Sequence, residues 1–143
     1  MRMGKVDVLK AVVPGLIILL LFATAGLAAE SLTFENVTDH LDLRKRTSLH
    51  AKTYWGEVQG QTVTWSAKVY DVSGGRGKAK VLAANDSRRK YKGYNLVLVT
   101  YDMEAAADLM VDSTIKFKGD LYKYKARKGN PVIIYLNNVE FIK

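Results

Sequence analysis

The chain has 143 residues, enough for one domain plus an appendage, and its 48% apolar and 25% charged composition excludes a fully disordered protein. Its 22 Lys and Arg against 14 Asp and Glu give a formal net charge of +8, which favours anionic partners such as nucleic acid, lipid headgroups, acidic polysaccharide or acidic proteins. It has no cysteine, so disulfides, thiolate metal sites and cysteine nucleophiles are excluded together.

Arg2, Lys5 and Lys10 precede an apolar run at 11–29 with a small-residue exit, Ala23-Thr24-Ala25 and Gly26-Leu27-Ala28. A positive flank, an apolar stretch and small residues form the pattern of an export signal. The run is about 19 residues, at the lower edge of what spans a bilayer, so two readings stand: a cleaved signal peptide or a retained signal anchor. In both, the basic flank stays cytoplasmic and the rest is expected outside, in a periplasmic or other extracytoplasmic space. The segment 1–29 contains only Arg2, Lys5, Lys10 and Asp7 as charges, leaving 19 basic against 13 acidic side chains beyond it, a net +6. The basicity therefore belongs to the expected folded part.

Residues 30–60 read as a helical lead-in. Thr33 is placed to cap a short helix carrying Phe34, Val37, Leu41 and Leu43 on one face, and Thr47 or Ser48 to open a second running towards Tyr54 and Trp55. His40 and His50, ten residues apart, lack the spacing of a helical metal pair and read as surface residues.

From residue 61 to 143 the period changes to two. Val63, Trp65, Ala67 and Val69 alternate with Thr62, Thr64, Ser66 and Lys68, the pattern of a half-buried strand that places Trp65 in the core. Ser73-Gly74-Gly75-Arg76-Gly77 reads as the break after it, and Lys78–Ala84 as the second strand. Asn85-Asp86-Ser87 opens a turn, the basic stretch 88–93 follows, and 94–101 reads as a third strand, buried on both faces at Leu96-Val97-Leu98-Val99. Asp102 is placed to cap a helix over 103–110. Its carboxylates, with Glu104, Asp108 and Asp112, fit a solvated helix better than a calcium loop. Ile115, Phe117, Gly119 and Leu121 share one face of a fourth strand. The hairpin loop 126–130 leads to a last strand at 132–142, bulged at Asn137-Asn138. The order β-β-β-α-β-β predicts a mainly β, five-stranded OB-type barrel, since closure removes the exposed edges of so small a sheet.

The stretch Gly60-Gln61-Thr62-Val63-Thr64-Trp65-Ser66-Ala67-Lys68-Val69, then Asp71-Val72, Gly119-Asp120-Leu121 and Val139-Glu140-Phe141-Ile142, resembles a bacterial family of exported OB-fold proteins described as similar to tRNA-anticodon-binding domains. The resemblance spans about residues 32–143. These are fold-forming positions, so it implies the barrel and carries no functional residue onto this chain.

OB barrels bind along the second and third strands, between the first and last hairpin loops. That groove is expected to hold Arg76, Lys78, Lys80, Arg88, Arg89, Lys90, Lys92, Arg127 and Lys128, with Tyr122 and Tyr124 and the neighbouring Tyr91 and Tyr94 interleaved. Cations that neutralise phosphates and rings on which bases stack are the chemistry of single-strand binding; a solvated strand face carries the same residue types. No serine, histidine and carboxylate set can be assembled, Gly74-Gly75-Arg76-Gly77 lacks phosphate-loop spacing, and no cofactor or metal is expected. The sequence therefore predicts a non-catalytic exported binding or accessory module, contacting an anionic polymer of the envelope or a protein partner. A retained anchor would make it a membrane-tethered subunit. The rival expectation is a single-stranded nucleic-acid-binding protein.

Overall fold

In the computed structural model, which describes residues 32–143, Thr33 and Thr47 each turn their hydroxyl back to accept an N–H three residues on, from Asn36 and His50. They open helices α1 (Phe34–Leu41) and α2 (Ser48–Val58). The expected export segment at 1–29 lies outside the described residues, and no described helix is long and apolar enough to cross a membrane. Phe34, Val37 and Leu41 form the buried face of α1, and Ala51, Trp55 and Val58 that of α2. The Phe34 ring meets Trp65 of the barrel edge-on at 5.4 Å, and Trp55 leans on Tyr124 at 5.0 Å. Two aromatic contacts thus seat the helices, each such pair adding about 0.5–1.5 kcal/mol beyond simple burial. The turn between the helices brings His40 within hydrogen-bond distance of His50, at 3.0 Å. Both histidines are half-buried where the sequence reading places them on the surface, because two helices folded back on each other cover them.

Five strands follow: β1 (Thr62–Gly75), β2 (Lys78–Ala84), β3 (Leu96–Thr100), β4 (Thr114–Lys125) and β5 (Ile133–Ile142), with a short helix α3 (Met103–Ala107) between β3 and β4. They close into a barrel in the order β1-β2-β3-β5-β4, antiparallel except for the β3–β5 pair. This is the OB-type barrel.

β1 serves two neighbours. It pairs with β4 from Thr62 to Lys68 and with β2 from Lys68 to Gly75, bending at a bulge at Tyr70. The strand runs on through Ser73-Gly74-Gly75, so the expected five-residue break shrinks to the two-residue turn Arg76-Gly77, with φ of 56° and 79°. Both values being positive makes it the tight hairpin turn that matches strand twist. β3 is shorter than 94–101 because Tyr94 closes a tight turn with Tyr91 and Asn95 is drawn into the loop. Helix α3 stops at Ala107 rather than 110, because the chain after it is pulled back to the bulge. Asp112 donates its N–H to Val69 O, and Ser113 O accepts from Val69 N.

In the β5 bulge Asn138 has φ of 52°, and Asn138 and Val139 together face Gly119 of β4. This bulge falls where the sequence places it. The interior is filled by alternate residues of all five strands, among them Trp65, Leu98, Phe117, Leu121, Ile134, Leu136 and Val139.

Candidate functional site

The loop joining β2 to β3 is built around one buried amide. Asn95 is fully buried, accepts the N–H of Asn85 at 2.8 Å, and donates to the carbonyls of Asn85, Arg88 and Arg89 at 2.8, 3.4 and 3.3 Å. A polar loop thereby gains a fixed shape without a hydrophobic interior of its own. Beyond it, Tyr91 and Tyr94 exchange both backbone hydrogen bonds across Lys92-Gly93. Gly93 has φ of 98°, and a Cβ there would lie 2.5 Å from the Tyr70 ring, so position 93 admits only glycine for two separate reasons. The turn presents the Tyr91 and Tyr94 rings at 83° to each other, with Tyr70 beside Tyr94 at 6.1 Å.

The facing wall is the β4–β5 hairpin. Its register pairs Lys123 with Tyr135, Tyr124 with Ile134 and Lys125 with Ile133. The ammonium groups of Lys123 and Lys125 lie over the Tyr135 ring at 4.9 and 5.6 Å, and Lys92 lies over Tyr91 at 5.3 Å. Each such contact holds a cation beside a ring face. Tyr124 is braced from behind by Trp55 of α2.

Between the two walls lies an open groove of about 630 Å³, lined by Tyr91, Tyr94, Tyr124 and Tyr135 together with Lys125 and Arg127. Asn130, Pro131 and Ile133 complete its floor at the hairpin end. Among the described residues, no carboxylate, histidine or serine lines it. What it offers a ligand is phenol hydroxyls, ring surface and two cations, an arrangement that can hold an oxyanion or a flat anionic group. Among the described residues, no cluster of three or more His, Asp or Glu could hold a metal ion.

Of the residues expected in one groove, Tyr124 and Arg127 line this one, with the neighbouring Tyr91 and Tyr94. Arg76 stands exposed in the hairpin turn, and Lys78 and Lys80 border a separate depression of about 260 Å³ over strands β1 to β3. Arg88 and Arg89 are tied down locally, Arg88 donating to the carbonyls of Ser87 and Glu35, Arg89 to that of Gly129. They border a narrow crevice with Arg44 and share its Asn130 and Pro131 with the groove. Lys90 pairs with Asp86 at 2.7 Å, and that contact, followed by the charge of Lys90, holds the aspartate below its usual range. Lys92 flanks the groove over Tyr91. Tyr122 is 53% exposed and Lys128 is exposed at the hairpin loop; neither lines the groove. Lys125 and Tyr135 were not expected. The signal for them was the register across the hairpin, which carries every second residue of both strands to one face.

No protein-family model matches the chain, and no curated protein does. Among solved structures it is similar to two OBody proteins bound to hen egg-white lysozyme. One is 14% identical, over 61% of this chain and 80% of that one, with a TM-score of 0.41; the other is 15% identical, over 59% and 96%, with a TM-score of 0.40.

Proposed function

We propose that the protein is a non-catalytic, exported binding module that takes an anionic partner into the tyrosine-lined groove between the β2–β3 loop and the β4–β5 hairpin. The observation that carries this reading is the lining itself: four tyrosines, Lys125 and Arg127, with no carboxylate among the described residues to repel an anion. Lys92 and Lys123 stand behind two of the rings and extend the positive field. The groove's size falls within the range of ordinary ligand sites. The basic flank and apolar run at the N-terminus support export, and an outer face directs the groove towards an acidic component of the envelope or an acidic protein surface.

A second reading, single-stranded nucleic acid, is favoured by one specific observation, the interleaving of rings with cations in one groove. The two are separated by titrating the protein at low salt with inorganic polyphosphate and with oligothymidylate, following the fluorescence of Trp55 against its Tyr124 neighbour. The main reading expects both polyanions to bind with affinities that fall together as salt rises. Tight binding of oligothymidylate alone selects the second reading. No binding of either probe in low salt overturns both.

A further inference from the structure

His40 of α1 and His50 of α2 lie with their rings 14° from parallel, centroids 5.3 Å apart and the facing nitrogens, Nδ1 and Nε2, 3.0 Å apart. Nitrogens so much closer than the ring centres mean that the imidazoles meet edge to edge, one N–H donating to the other's lone pair. The Tyr54 ring, one turn after His50, lies against His40 at 4.1 Å and 16°, and its buried hydroxyl has no hydrogen-bond partner among the described residues. An N–H to N link needs one free lone pair. It survives with no extra proton and with one. A second proton sets N–H against N–H and places two positive charges on facing rings.

The surroundings are mixed in sign. Asp39 beside His40 on α1 and Glu57 on α2 favour a charged His40 ring, while Arg46 in the intervening turn opposes it. Burial first, then Arg46 and His50, hold the His40 imidazole below its usual 6.5. A histidine so lowered gives its full stabilisation above that value and loses it as pH falls from there towards the folded value.

Both helices touch the groove walls. Trp55 follows Tyr54 and braces Tyr124. On α1, the Glu35 carboxylate accepts from Ser87 Oγ at 2.8 Å and its carbonyl accepts from Arg88 at 3.3 Å, in the loop that carries Tyr91 and Tyr94. We infer that the His40–His50 pair is a proton-sensitive clasp: it joins α1 to α2 while at most one proton is bound, releases them when both rings are charged, and so loosens the Trp55–Tyr124 wall. The clasp stands independently of what the groove binds; its role as a regulator rests on the groove being the binding site.

Hydrogen exchange of the full chain without ligand tests it, at pH 7.5 and 5.5 after correction for intrinsic rates. His50→Gln keeps a group able to hydrogen-bond His40 but can gain no charge, and His40→Gln is the reciprocal variant. The expected result is a clear loss of protection over Phe34–Leu41, Ser48–Val58 and the peptide containing Tyr124 in the natural protein at pH 5.5. Barrel strands β1 to β3 keep theirs, and neither variant that is protected at pH 7.5 shows the loss. Equal protection at both pH values, or the same loss in both variants, overturns the clasp. Loosened helices with an unchanged Tyr124 peptide overturn the link to the groove. Because no ligand is present, none of these outcomes depends on whether polyphosphate binds.

Discussion

Gly119→Ala places a methyl group where the barrel has no room for it. The new Cβ would lie 2.8 Å from Val139 Cγ2 and 3.2 and 3.3 Å from Leu136 Cδ2 and Cβ, all on buried side chains of the bulged strand β5. Overpacking of this kind costs about 1–3 kcal/mol. Against it stands a gain of about 0.4–1 kcal/mol from the stiffer unfolded chain, since the φ of Gly119 is not positive. The expected net loss is about 1–2 kcal/mol in urea unfolding followed by far-ultraviolet circular dichroism. Val139→Ala alone should cost about 2 kcal/mol by leaving a cavity. The pair together should cost about as much as Val139→Ala alone, because each substitution relieves the other, giving a favourable coupling of about 1 kcal/mol or more. A neutral or stabilising Gly119→Ala, or strict additivity in the double variant, would refute the packing argument and place the bulge elsewhere.

Asn95→Ala should destabilise by about 3 kcal/mol in the same assay, since it leaves the N–H of Asn85 and three loop carbonyls without their partner; a loss under 1 kcal/mol would mean that water replaces the amide. Lys125→Ala combined with Arg127→Ala should weaken oligothymidylate binding about tenfold at low salt and lower its salt slope by about 1.4, with the urea midpoint unchanged; unchanged affinity moves the site off the groove. The Asp39 carboxyl is held below its usual 3.8 by Lys45 and then Arg46, and Asp120 by Thr62 and then Asn138. Their stabilisation is present above that value and lost as pH falls through the lower folded values, so the urea midpoint should drop below about pH 4 and drop less in Asp39→Asn.

Much of the fold was legible because one face of each strand must be buried. The parity of Val63, Trp65, Ala67 and Val69, and of Ile115, Phe117, Gly119 and Leu121, is the parity of the barrel interior. The cap residues Thr33, Thr47 and Asp102 were legible for a local reason, each being a short oxygen-bearing side chain just before a helical pattern. The length of α3 was not legible, since its end is set by Val69, some forty residues earlier in the chain. The candidate site was legible in residue type but not in membership. Arg88 and Arg89 read as free cations, yet they serve backbone carbonyls of the lead-in and the hairpin. Tyr135 and Lys125 are gathered by register, and the His40–His50 contact by a fold-back between helices; neither is a local property of sequence.

The parallel pair β3–β5 carries a consequence for how the molecule is made. Leu96, Val97 and Leu98 meet Ile134, Tyr135 and Leu136, and β5 also covers β4. Until residues 133–142 arrive, the strand ladder is an open ribbon whose two outer edges, β3 and β4, have unmatched backbone groups and apolar side chains. Contacts so distant in sequence make for slow folding, in the millisecond-to-second range typical of such topologies. The final strand therefore acts as a kinetic gate: a chain shortened or stalled before Ile133 holds four-fifths of its strands and is at greatest risk of joining a neighbouring copy edge to edge.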